Sequence, residues 1–170
     1  MSIGLLILRL VVGLTLAAHG VQKLFGWFGG YGIAGTGQFF EQLGFRPGRV
    51  QAVLAGLAET AGGLFLAAGL LTPAAAAAVV AVMLVAAVSV HGKAGFFAQG
   101  GGYEYPLVLA GAGLALAFTG PGALSVDAAL GLGRSGEAWG LAALVGGLVG
   151  GTVPLLSRKT SAAPLAQKAA

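Results

Sequence analysis

The sequence predicts an all-α, polytopic membrane helical bundle, and three observations carry that prediction. Hydrophobic residues make up 57% of the chain and charged ones only 8%, against roughly a quarter charged in soluble domains. Five apolar stretches of near-spanning length are separated by loops marked with glycine and proline. One of them, Gln51 to Leu71, holds a single carboxylate, Glu59, near its middle. An ionisable group inside a span is a functional hypothesis by default. At 170 residues the chain amounts to one such domain.

The first span is predicted from Ile3 to Phe25. It does not read as a cleaved secretory leader: no Lys or Arg precedes Ile3–Leu8, Arg9 lies within the apolar run, and no small-residue cleavage site follows. Arg9 is expected to snorkel to the nearer interface. His19 and Lys23, four apart, share a face near the other end. Gly26 to Arg49 is expected to be a long connection. It opens GWFGGYGIAGTG, too rich in glycine for a helix, and continues with a short amphipathic piece, Gln38–Leu43, capped by Thr36 and ended by Gly44. That piece would set Phe39, Phe40 and Leu43 in the interface and turn Gln38, Glu41 and Gln42 to water. Gly30, Gly32 and Gly35 spell G-x-G-x-x-G, but the motif follows a membrane span instead of a strand, and Val50 to Ala58 offers no acid. That context argues against dinucleotide binding.

The second span contains Glu59. A central acid costs roughly 2.5–3.5 kcal/mol on the insertion scale, and each Leu, Ile, Phe or Val returns roughly 0.3–0.6. Val53, Leu54, Leu57, Phe65, Leu66, Leu70 and Leu71 about cancel Glu59, so this helix needs neighbours. Its carboxyl either serves a site or only hydrogen-bonds across the bundle. Leu71-Thr72-Pro73 reads as a tight turn, with Thr72 as N-cap and Pro73 as first helical residue. The third span, Ala74–Val90, ends at His91. The loop Gly92–Tyr103 carries Lys93, Phe96, Phe97 and a triple glycine, and Glu104 and Tyr105 lead into a fourth span that runs to about Phe118. Gly120-Pro121-Gly122 breaks it, and Asp127, Arg134 and Glu137 mark a polar loop. The fifth span, Ala138–Leu156, holds Gly146, Gly147, Gly150 and Gly151, which suit close packing within the bundle or between copies. From Ser157 the tail is polar and basic and is expected to be disordered.

Antiparallel spans joined in sequence put the end of the first, the start of the second, the end of the third and the start of the fourth on one side. All aromatic residues except Phe65, Phe118 and Trp139 fall there. An interfacial belt alone would mark both sides. The arrangement predicts a pocket open to one leaflet, floored by Glu59 and walled by His19, His91 and Glu104, with Lys23 and Tyr105 beside them. Lys23, Arg46, Arg49, Lys93, Arg158, Lys159 and Lys168 lie with this crowded face, and only Arg9 and Arg134 lie opposite. By the positive-inside rule the crowded face and the C-terminus are cytoplasmic and the N-terminus is outside, in a plasma (inner) membrane. The net charge of +4 thus serves orientation and anionic headgroups, and nucleic acid is not an expected partner. The absence of cysteine removes dithiol, Fe–S and thiolate metal chemistry.

Several blocks in order carry a family resemblance: RLVVG (9–13), HGVQKLFG (19–26), GGYGIAGTGQFFEQLGF (29–45), AGLAETAGG (55–63), GLLTPAAA (69–76), HGKAGFF (91–97), GGYEYPL (101–107) and GPGALSVD (120–127). Together they resemble DoxX-family membrane proteins over about Met1 to Gly131. The resemblance implies a DoxX-like four-helix core over 1–131, with an extra transmembrane helix over 132–156 and the basic tail, 157–170, as departures. DoxD relatives are small subunits of a thiosulfate:quinone oxidoreductase, so the resemblance implies a redox or quinone connection that composition and spacing do not show.

Three functions compete at this point. The first is a quinone-interacting subunit working with a partner redox enzyme and holding no covalent cofactor. The second is a scaffold, with the fifth helix recruiting partners or a second copy. The third is a conduit for a small solute or protons, with Glu59 as relay. Paired histidines ligating haem, or two His with two Glu holding a metal, need facing geometry that spacing does not establish, and no metal site is assigned.

Overall fold

Glycine decides how closely the helices of this protein approach. Gly13 on α1 (Ser2–Phe25) faces Gly63 on α3 (Gly48–Ala68), and a Cβ on either would lie 2.5 Å from the other's carbonyl oxygen. One heptad further along each helix, Gly20 meets Gly56, with the same hypothetical Cβ 2.7 Å from the Gly56 oxygen. Small residues at this spacing let two backbones touch along one continuous seam. α1 and α3 are thereby locked as antiparallel neighbours in a fixed register.

The computed structural model describes residues 2–159, and those residues are helical throughout, with short connections. α2 covers Gly32–Gln42 and α4 covers Thr72–Ala86. α4 continues through a π-helical turn, Ala87–His91, and a 3-10 turn, Gly92–Ala94. α5 (Glu104–Thr119), a short α6 (Val126–Ala129) and α7 (Glu137–Ser157) complete the chain. Among the described residues four helices are long and apolar enough to cross a membrane: Ser2–Phe25, Gly48–Ala68, Thr72–Ala94 and Glu137–Ser157. α5 is apolar but has only 16 residues, roughly 24 Å of helix. The protein is a multi-pass membrane helical bundle. Val12, Leu16, Leu66, Val79, Met83, Leu109 and Leu116 form its core, whereas Ile7, Val11, Leu57 and Val149 look outward, where lipid replaces water.

α7 lies along α4. Gly147 abuts Val80 and the Ala77 carbonyl, Gly151 abuts Leu84 and the Ala81 carbonyl, and Gly146 and Gly150 face Ala77 and Ala81. Gly147 and Gly151 are thus buried in the contact with α4, while Gly146 and Gly150 stay exposed at its edge.

Local expectations about several residues fail, each for a non-local reason. The segment after Gly26 does not stay irregular: α2 starts at Gly32 and runs through Gly35 and Gly37. A Cβ on Gly48 would collide with the Gly37 carbonyl, and one on Gly37 would lie 3.0 Å from the Arg49 nitrogen. Contact with α3 stabilises a helix that glycine propensity alone disfavours. Thr36 consequently does not cap this helix but is buried within it; Gly44, with φ of 93°, does end it.

Thr72 does not cap α4 either. Asp127, expected in a polar loop, is 1% exposed and supplies the cap from a distant part of the chain. Its Oδ1 accepts from Leu71 N (2.8 Å), and its Oδ2 accepts from Thr72 N (2.9 Å) and Thr72 Oγ1 (2.8 Å). These bonds hold a turn in which Leu71 has φ of 46°, a conformation unfavourable for a residue with a Cβ. Arg9 does not snorkel. It is 1% exposed, and its Nη2 donates to the Leu124 carbonyl at 2.5 Å. At the end of the described residues Ser157 closes α7, and Arg158 and Lys159 are held against residues 43–44; the rest of the expected tail, including Lys168, lies outside the described residues.

Candidate functional site

The glycine seam brings Lys23 to Glu59. Helical side chains tilt toward their own N-terminus. Lys23, near the end of α1, therefore reaches back into the bundle, while Glu59 on antiparallel α3 reaches out toward the crowded face. They meet near the level of the Gly20–Gly56 contact, where Lys23 Nζ donates to Glu59 Oε2 at 2.5 Å. Lys23 also lies 3.4 Å from the His19 carbonyl. The Glu59 side chain is 4% exposed and that of Lys23 is 23% exposed.

The pair opens onto a cavity of about 570 Å³ enclosed by α2, α3, α4 and α7. Most of the wall is apolar: Phe39 and Phe40 from α2 and Leu43 just after it, Leu54 and Ala58 from α3, Val82 and Val85 from α4, and Val153 from α7. Phe39, Phe40 and Leu43, expected in the interface, line the cavity. Gln51, Ser89, His91 and Ser157 are the polar groups on the wall besides the ion pair. The size suits a small organic headgroup, since such sites are commonly about 300–1,000 Å³ with few polar groups.

His91 sits at the end of the π-helical turn, with Nδ1 2.7 Å from the Gly101 carbonyl. A carbonyl only accepts, so Nδ1 carries the proton and Nε2 is left for a ligand. His19 is placed behind Lys23, off the cavity wall. Its Nδ1 is 3.1 Å from Gln22 Oε1, its Nε2 is 3.5 Å from the Tyr105 hydroxyl, and the two rings meet edge-on at 6.1 Å. Tyr105 meets the His19 ring and does not line the cavity. Glu104 belongs elsewhere. Its Oε2 accepts from Ala98 N at 2.8 Å and its own N–H donates to the Phe96 carbonyl, clamping the 92–103 loop onto the start of α5.

Of the six candidate residues, then, Lys23, Glu59 and His91 share one cavity, His19 and Tyr105 meet each other off its wall, and Glu104 organises a loop. No group of three or more His, Asp or Glu among the described residues is placed to hold a metal ion. Sequence reasoning missed Gln51, Ser89 and the contribution of α7. Pro154 was a usable signal: a proline inside an apolar helix has no N–H, which leaves the Gly150 carbonyl without its helical partner. Both residues line the cavity.

Comparison with protein-family models matches residues 4–92 to DoxX, more than half of the chain. The match takes in His19, Lys23, Glu59 and His91, and stops before Glu104, Tyr105 and α7. The comparisons with curated proteins and with solved structures gave no match.

Proposed function

The chain belongs to the DoxX family, and from that premise we propose that its cavity binds a quinone headgroup on behalf of a partner redox enzyme. The observation that supports this reading is the Lys23–Glu59 pair facing a largely apolar cavity that His91 also lines. A quinone is a flat apolar ring with a carbonyl oxygen at each end, so it needs an apolar slot and a donor for each oxygen. Lys23 supplies one donor. Protonated at Nε2, His91 supplies the other, and Glu59 can exchange the protons that accompany reduction. The electrons come from the partner. In this reading the crowded face and the C-terminus are cytoplasmic and the membrane is the plasma membrane.

A short-chain quinone analogue should stabilise the purified protein against heat. The gain follows RT ln(1 + [L]/Kd), about 2.7 kcal/mol at a hundredfold excess over Kd. Glu59→Gln and His91→Ala should each weaken the shift, because each changes or removes a polar partner of the ligand. Arg134→Ala is the control: Arg134 lies over the Trp139 ring at the other end of the bundle. No shift at saturating analogue, or equal loss in the control, would replace this reading with the scaffold.

A further inference from the structure

A second recess, of about 530 Å³, lies beside the cavity and is lined by Glu41, Arg46, Pro47, Ser157 and Lys159. It is built by the joining of two distant parts of the chain. Arg158 Nε donates to the Leu43 carbonyl at 2.5 Å, its guanidinium lies over the Phe45 ring at 5.6 Å, and Lys159 N donates to the Gly44 carbonyl at 2.9 Å. The one acid in the recess is already engaged, since Glu41 Oε1 accepts from Gly48 N at 3.0 Å at the start of α3. Among the described residues neither Arg46 nor Lys159 has a carboxylate partner. Ser157 lines both this recess and the apolar cavity, so the two spaces share a wall.

We propose that the recess binds the phosphate headgroup of an anionic phospholipid, with Arg46 and Lys159 on the phosphate. The two cations stand at helix ends, the depth at which headgroups lie. A guanidinium suits the forked oxygens of a phosphate, and an ammonium adds a point charge. The end of α7 carries no acid to oppose them. This inference does not rest on the quinone reading, because neither Arg46 nor Lys159 lines the cavity.

The test uses the full chain purified in neutral detergent, with lipid retention followed by native mass spectrometry and stability by melting. Phosphatidylglycerol should be retained and should raise the melting temperature more than phosphatidylcholine does, and inorganic phosphate should leave it unchanged. Arg46→Gln with Lys159→Gln should weaken phosphatidylglycerol binding on the order of 10- to 30-fold, while Arg134→Gln should not weaken it. The quinone-analogue shift should survive the double substitution, which separates the two sites. Equal retention of the two lipids, or undiminished phosphatidylglycerol binding in the double variant, overturns the proposal. Stabilisation by inorganic phosphate equal to that by the lipid overturns it in favour of a plain anion site.

Discussion

Lys23 and Glu59 do not stand equally in their ion pair. The Glu59 side chain is 4% exposed in mid-helix, while that of Lys23 is 23% exposed near a helix end. Deprived of Glu59, Lys23 can turn its ammonium toward the interface. Deprived of Lys23, Glu59 has nowhere to go. Breaking a buried pair from the side that strands a charge costs about 3–5 kcal/mol. Glu59→Gln keeps an oxygen that accepts from Lys23, so it should cost only about 1–2 kcal/mol. Lys23→Met should therefore lower the melting temperature markedly more than Glu59→Gln, and adding Glu59→Gln to Lys23→Met should recover part of the loss. Equal losses from the two single substitutions would mean that Lys23 is as confined as its partner.

At the level of elements, the α1–α3 seam places that pair, and glycine is what the seam consists of. Gly63→Ala puts a methyl within 2.5 Å of the Gly13 carbonyl, a contact that only backbone displacement can relieve. Overpacking of this kind costs about 1–3 kcal/mol. Gly111→Ala on α5 meets nothing within 4 Å and should be neutral or stabilising by up to ~1 kcal/mol, because alanine favours helix. Thermal unfolding of both variants checks the contrast; similar losses would show that the effect is one of composition and not of the seam. The same glycines explain what was legible in the sequence. Spans could be read because each depends on a local property, a run of apolar residues, and the alternation of spans put Lys23, Glu59 and His91 toward one side. α2 was hidden because its glycines look like loop and work as packing against Gly48. The cap on α4 was hidden because Asp127 is remote from Thr72 in sequence, and the inward turn of Arg9 depends on the equally remote Leu124. For the site, alternation sets which side a residue is on but not which way its helix is rotated. That is why His19 and Glu104 were grouped with the cavity while Ser89 and the α7 wall were passed over.

For the whole molecule, the basic side chains outside the core are concentrated on one face. Arg9 is buried within the bundle and Arg134 stands alone over Trp139, whereas Lys23, Arg46, Arg49, Lys93, Arg158 and Lys159 all lie at the end that carries the cavity. Burial of Arg9 sharpens the asymmetry, since a guanidinium bonded to Leu124 inside the protein no longer competes for an interface. Loops rich in Lys and Arg are retained in the cytoplasm. The cavity should then open toward the inner leaflet, beside the phosphate-binding recess, and the α6 end with Asp127 should face outward. Alkaline phosphatase, active only outside the cytoplasm, should be silent when fused after Ala170 and active when inserted in the loop at Arg134. A reporter that is silent only outside the cell should give the reverse pattern. Strong phosphatase activity after Ala170 would invert the topology and put the cavity on the outer leaflet, where a cytoplasmic redox partner could not reach it.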